Sequence, residues 1–222
     1  MTLYTSIIIL ILSCNSSSDI SQNLNLIQAV ENGLLPHIAI DGQKSKKWNI
    51  HERQNHYNVP GVSIAFFNND KIEWTKQYGF LSRELENEVN HKTLFQAASI
   101  SKPVAALGVL LLVQNNKISL DEPVNNYLST WKLPENEFNK LKKVTLRQLL
   151  THSAGLTVHG FGGYSHDEKL PDTNDILNGV LPANSGKVVL DTFPGAQWKY
   201  SGGGYTIVQK IIEDISKMPF EK

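Results

Sequence analysis

The sequence predicts an α/β chain of the α+β kind, an antiparallel sheet flanked by helices with a further all-helical region. Three observations carry this reading. Residues Lys71 to Tyr78 alternate at period two directly after the turn residues Asn68-Asn69-Asp70. From Ser99 to Asn115 apolar residues occur nearly all round a helical cylinder. From Tyr205 to Lys217 the apolar residues recur on one helical face.

Composition bounds the answer. The chain has 222 residues, 41% of them hydrophobic, which is enough for a domain with its own core. Lys+Arg and Asp+Glu both number 21, so net charge makes no case for nucleic acid or an anionic membrane surface as partner. Cys14 is the single cysteine, which excludes an intramolecular disulfide and a Cys-rich metal site. The histidines (His37, His51, His56, His91, His152, His159 and His166) lack the H-E-x-x-H spacing of a metal site, and no cofactor is expected.

Taken in order, the apolar run Ile7-Ile8-Ile9-Leu10-Ile11-Leu12 is too short to span a bilayer, which takes roughly 20 residues. It fits the apolar core of an export signal over residues 1–13, although the residues before it carry no Lys or Arg. Ile11-Leu12-Ser13-Cys14 resembles a bacterial lipobox, which implies a lipid anchor at Cys14 and a place in the periplasm or cell envelope. Residues 14–43 read as a Ser/Asn-rich tether over 15–24 and a leading helix over Leu24 to Leu35. The main domain is expected over 44–222. A helix is predicted from Lys44 to about Tyr57, ending before Pro60-Gly61. Gly61 to Phe67 and Lys71 to Tyr78 form the best hairpin. Because a single hairpin is marginal alone, the sheet is expected to be incomplete in this chain. The Ser99 to Asn115 helix is expected to be buried. A short helix follows over Thr145 to Thr151, then a Gly-rich loop over 157–171, a helical turn over Asp172 to Leu177 and an amphipathic helix over Tyr205 to Lys217.

The pattern S-x-x-K, in which a lysine three residues on shares a helical face with a serine, occurs twice. Ser129-Thr130-Trp131-Lys132 runs into Leu133-Pro134, a helix-blocking context that reads as a surface loop. Ser99-Ile100-Ser101-Lys102 opens the most apolar helix. A serine hydroxyl is a weak nucleophile that needs a base or proton shuttle beside it. Lys102 serves if burial among Ala97, Ala98, Val104 and Ala105 depresses its pKa. The helix start adds partial positive charge and free amides for an oxyanion. On these residues alone, an ordinary N-cap serine is the competing reading.

Longer segments carry a resemblance. Thr93 to Pro103 looks like the nucleophile segment of class C β-lactamases, DD-peptidases and related serine esterases. Val144 to Leu156 resembles that family's "LLTHTSGL" segment, and Phe193 to Tyr205 its "PPGxxxxYSNxGY" segment. The resemblance runs from about residue 44 to 222. It implies a β-lactamase/transpeptidase-like fold, with Ser99 as nucleophile and Lys102 and Tyr200 as the proton-handling pair. A phenol near pKa 10 needs a neighbouring cation to reach its anion. It also implies that His152 supports a turn rather than reacting. Gly202, the candidate substrate-binding position, stands where the family has an Asn that contacts the substrate amide and orders the lysine. The departure leans away from β-lactams and toward an esterase or another acyl transfer.

The family's third motif, K-T-G or H-x-G on a strand, has no equivalent here, so the chain is expected to be the N-terminal portion of such a domain. Two functions follow. One is a serine hydrolase acting through an acyl-enzyme on a small-molecule or peptide ester or amide. The alternative is a non-catalytic envelope lipoprotein, or inactive fragment, that keeps the fold as a binding module.

Overall fold

The computed structural model describes residues 17–222; the apolar run Ile7–Leu12 and Cys14 lie outside the described residues. These residues divide into two compact units, one running to Phe95 and one over Gln96–Lys222.

In the first unit α1 (Ser17–Glu31) begins inside the stretch read as a tether, and ends four residues short of Leu35. The next helix starts later than predicted. Residues 44–47 carry no regular structure, Trp48 bridges Leu34, and α2 (Ile50–Tyr57) starts where Asn49 supplies a cap. The Asn49 side chain accepts from the His51 amide at 2.8 Å, and Glu52 accepts from the Asn49 amide at 3.1 Å. Asn58, in the left-handed region at φ 55°, ends the helix. The hairpin is as predicted. Strands β1 (Gly61–Asn68) and β2 (Lys71–Gly79) pair antiparallel, with a bulge at Phe66/Phe67. They form a two-stranded sheet. Glu31 ties α1 to β2 by pairing with Lys76 and accepting from the Tyr78 hydroxyl at 2.9 Å. Burial and that carboxylate raise the Tyr78 phenol well above its usual pKa.

The second unit is helical. A 3-10 turn at Ala98–Ile100 leads into α3 (Ser101–Gln114), followed by α4 (Leu146–Leu150), α5 (Thr173–Asn178) and α6 (Gly202–Ser216). Thr145 and Gln148 form a capping box on α4, as Asp172 and Asp175 do on α5. Helix α6 packs on α3, α4 and α5, and Ile207, Val208 and Ile211 are buried with Leu146, Leu149 and Leu156 in one core. The expectation that α3 is buried is not met. Val109 is its buried residue, while Val104, Leu107 and Leu111 are exposed. The helix turns its Val109 side to the core, and among the described residues the opposite apolar face has no cover. Apolar composition all round measured what the helix could bury, not what it does bury.

The second S-x-x-K is structural. Asp214, buried on α6, accepts from the amides of Ser129 (2.7 Å) and Thr130 (3.1 Å) and from the Thr130 hydroxyl (2.7 Å). Lys132 donates to the Asn125 carbonyl at 2.6 Å. Burial pushes the Asp214 carboxyl up, but the Thr130 and Ser129 hydrogen bonds, helped by the Lys210 charge, outweigh it and hold the pKa below the usual value. Asp214→Ala leaves these donors unpaired and is expected to cost about 2–3 kcal/mol at neutral pH. The native pKa is depressed, so this contribution is present above about pH 4 and is lost as pH falls through the native value. Urea unfolding of the two chains at neutral pH and near pH 3 checks this; a stability gap that does not narrow in acid contradicts the role.

Candidate functional site

Ser99 sits in the 3-10 turn, one step before α3, so that Lys102 lies in the first turn of the helix behind it. Ala98 enters this turn at φ 46°, a left-handed conformation that costs a non-glycine residue about 1–2 kcal/mol. Pro103 fits here because the first helical turn has no intrahelical partner for its missing N–H. Lys102 Nζ donates to Ser99 Oγ at 3.0 Å.

Tyr200 reaches the same oxygen from the other side, with its hydroxyl 2.8 Å from Ser99 Oγ. It stands just before α6, whose first amides are all engaged. Ser201 is the N-cap, its Oγ accepting from the Gly204 amide at 2.9 Å and donating to the Thr157 carbonyl at 2.8 Å. Gly202 donates its amide to the His159 carbonyl at 2.9 Å, and Gly203 donates to the Val158 carbonyl at 3.0 Å. The approach is close. A Cβ on Gly203 would lie 2.8 Å from Val188, and one on Gly202 would lie 3.0 Å from the His159 carbonyl.

His152 forms the floor beneath Tyr200. The rings stack with centroids 4.2 Å apart, and His152 Nδ1 accepts the Ser201 amide at 3.2 Å, so the neutral ring carries its proton on Nε2. Burial, with the Lys102 charge and His159 nearby, lowers its pKa and keeps it neutral. This is the supporting role expected for it. Lys102 Nζ lies 5.1 Å from the Tyr200 ring centre and 5.6 Å from that of Tyr205. The apolar wrapping expected from Ala97, Ala98 and Val104 is absent, Val104 being 68% exposed; the ammonium meets aromatic faces instead. The neighbouring Lys102 ammonium and the Ser99 hydrogen bond lower the phenol's pKa against the opposing effect of burial. Two amides expected to be free at the helix start are spent in the turn, Ile100 on the Ala97 carbonyl and Ser101 on that of Ala98.

Ser99, Lys102 and Tyr200 open onto a cleft of about 520 Å³, also lined by Gln96, His159, Phe161 and Gly202. Gly202 therefore borders the cleft, yet its amide is not free to bind. Sequence reasoning missed His159, whose ring lies 4.9 Å from that of Tyr200, and Phe161. The signal available was their place in the Gly-rich segment, read as loop. Among the described residues no cluster of metal-ligating side chains occurs.

The site's surroundings have counterparts. Protein flp of Staphylococcus aureus (strain MRSA252) is 26% identical over 164 residues, 74% of this chain and 32% of that protein. Esterase EstB of Burkholderia gladioli is 31% identical over 137 residues, 59% of this chain and 35% of that enzyme. The chain thus spans about a third of the length of these curated relatives. Among solved structures, the octameric penicillin-binding protein homologue from Pyrococcus abyssi superposes with a TM-score of 0.61 at 28% identity, over 78% of this chain and 39% of that one. The fold is therefore β-lactamase/transpeptidase-like, two antiparallel strands with helices. The Beta-lactamase family model matches residues 48–222, well over half of the sequence, and the chain belongs to that family.

Proposed function

We propose that this chain carries the nucleophile of a serine hydrolase that cleaves an ester or amide through a covalent acyl intermediate. The observation that supports it is the double contact at Ser99 Oγ, with Lys102 Nζ at 3.0 Å and Tyr200 Oη at 2.8 Å inside an open cleft. Lys102 donates to Ser99 Oγ, and with Tyr200 as its anion the Ser99 hydroxyl donates to the phenolate. As Ser99 Oγ bonds to the substrate's carbonyl carbon, its proton passes to the Tyr200 oxygen. Collapse of the adduct breaks the bond to the leaving alcohol or amine, which takes that proton. Water then attacks the acyl carbon and gives one proton to Tyr200; the acid departs and Ser99 recovers the proton. Tyr200 is the base because the neighbouring ammonium favours its anion. Two features lean the reading toward esters: Gly202 in place of a side-chain amide, and the 31% identity to a protein named an esterase.

A fluorophosphonate probe followed by peptide mass spectrometry is expected to label Ser99, and Ser99→Ala to abolish labelling. Labelling at another serine, or none at any, overturns the assignment; none at all is the outcome a non-catalytic binding module gives.

The pH dependence is a second test. Labelling is expected to rise with pH through the Tyr200 ionisation, at a midpoint below the ordinary phenol value of about 10. Lys102→Met removes the cation, so the rising limb should move toward pH 10 and the rate at neutral pH fall by about 10²–10⁴-fold. An unmoved limb rules out Tyr200 as the base.

A further inference from the structure

Behind Lys102 lies a second cavity, of about 180 Å³, that adjoins the Ser99 cleft. Ala98, Lys102, Phe161 and Gly202 border both spaces. Ala105, Tyr205 and Phe220 stand with Phe161 around it, beside Ser101, Thr206 and Gln209. Three of the polar side chains on these walls already have partners. Thr206 Oγ1 donates to the Gly202 carbonyl at 3.3 Å, and the Tyr205 hydroxyl to the Leu150 carbonyl at 3.2 Å. Gln209 Nε2 is shared between Thr173 and Glu213. An apolar guest would cover Phe161 and Phe220, each 43% exposed.

We propose that this cavity is the subsite for a compact apolar acyl group, with Phe161 as its specificity-determining wall. The inference rests on Ser99 as the acylated residue. Gly202 borders both spaces and puts no side chain between them. The hydrogen bond from Gly202 to the His159 carbonyl holds the segment that carries Phe161. A Cβ at Gly202 would lie 3.2 Å from the Phe161 ring, so Gly202 also sets how close that ring comes.

The test compares p-nitrophenyl acetate and butyrate. The native chain is expected to favour butyrate in kcat/KM by about tenfold, the scale of burying extra methylenes. Phe161→Ala should bring the butyrate-to-acetate ratio near one, and Ala105→Leu, which fills the cavity, should lower it similarly. Binding of butyramide and acetamide to the Ser99→Ala chain, followed by ligand-observed NMR, reads the subsite without catalysis. Preference for butyramide that is lost with Phe161→Ala supports the subsite even if no ester turns over and the hydrolase reading fails. Turnover with no chain-length preference and no difference between the amides overturns the subsite and leaves the hydrolase standing. Absence of both turnover and amide preference overturns both.

Discussion

The first turn of α6 has three amide hydrogens to place, and their partners determine the shape of the cleft. Gly204 gives its own to the Ser201 cap, while Gly202 and Gly203 give theirs to the carbonyls of His159 and Val158. These bonds draw the 157–161 segment onto the helix start at a distance that leaves little room for a side chain at 202 or 203. The same segment then presents His159 and Phe161 to the cleft, and Tyr200, one residue before the cap, is fixed at its edge. A helix N-terminus is commonly a site for anions. Here its donors are consumed by the fold, and the cleft depends on side chains for its electrostatics.

Those electrostatics centre on Tyr200. One neighbour is a cation, Lys102, which favours the phenolate; another is His152, which burial keeps neutral and which receives the Ser201 amide. A charged imidazole in that position could not accept this hydrogen bond on Nδ1. The stack with His152 and the bond from Ser201 therefore orient Tyr200, while Lys102 donates to Ser99 Oγ and lies 5.1 Å from the Tyr200 ring centre. Ser99 owes its position to a turn in which Ala98 takes a left-handed conformation, and the helix that follows carries Lys102 back to it. Positioning and proton affinity are thus set by separate elements, the α3 start and the α6 start.

Residues with local chemistry were readable from the sequence. Asn68-Asn69-Asp70 marked the hairpin, Thr145 and Asp172 marked helix starts, and Ser99 and Lys102 lay close in sequence on one helical turn. Tyr200 is 101 residues from Ser99, and only the likeness of its segment to a known family connected the two. Where tertiary contacts decide, local reading failed. The helix predicted from Lys44 begins only at Ile50, after Trp48 has bridged Leu34 and Asn49 has supplied the cap. The second S-x-x-K could be set aside from its proline, yet its actual role depends on a carboxylate 84 to 85 residues away. His159 and Phe161 come from a loop with no periodicity, and their place is set by hydrogen bonds to glycines 43 or more residues later.

Gly202 shows how far a departure from a motif can be misread without coordinates. In sequence it is a lost side chain, which suggests a weakened site. In the structure the volume beside that position is occupied by backbone and by the Phe161 ring, with a Cβ at 202 only 3.0 Å from the His159 carbonyl. Position 202 and the 159–161 segment are consequently coupled, because a side chain at 202 would press on the His159 carbonyl and the Phe161 ring. An amide side chain at this position would bring a donor and an acceptor to the cleft and would displace the Phe161 ring from its wall. Glycine instead leaves the wall apolar, which favours burial of hydrocarbon over recognition of a polar group.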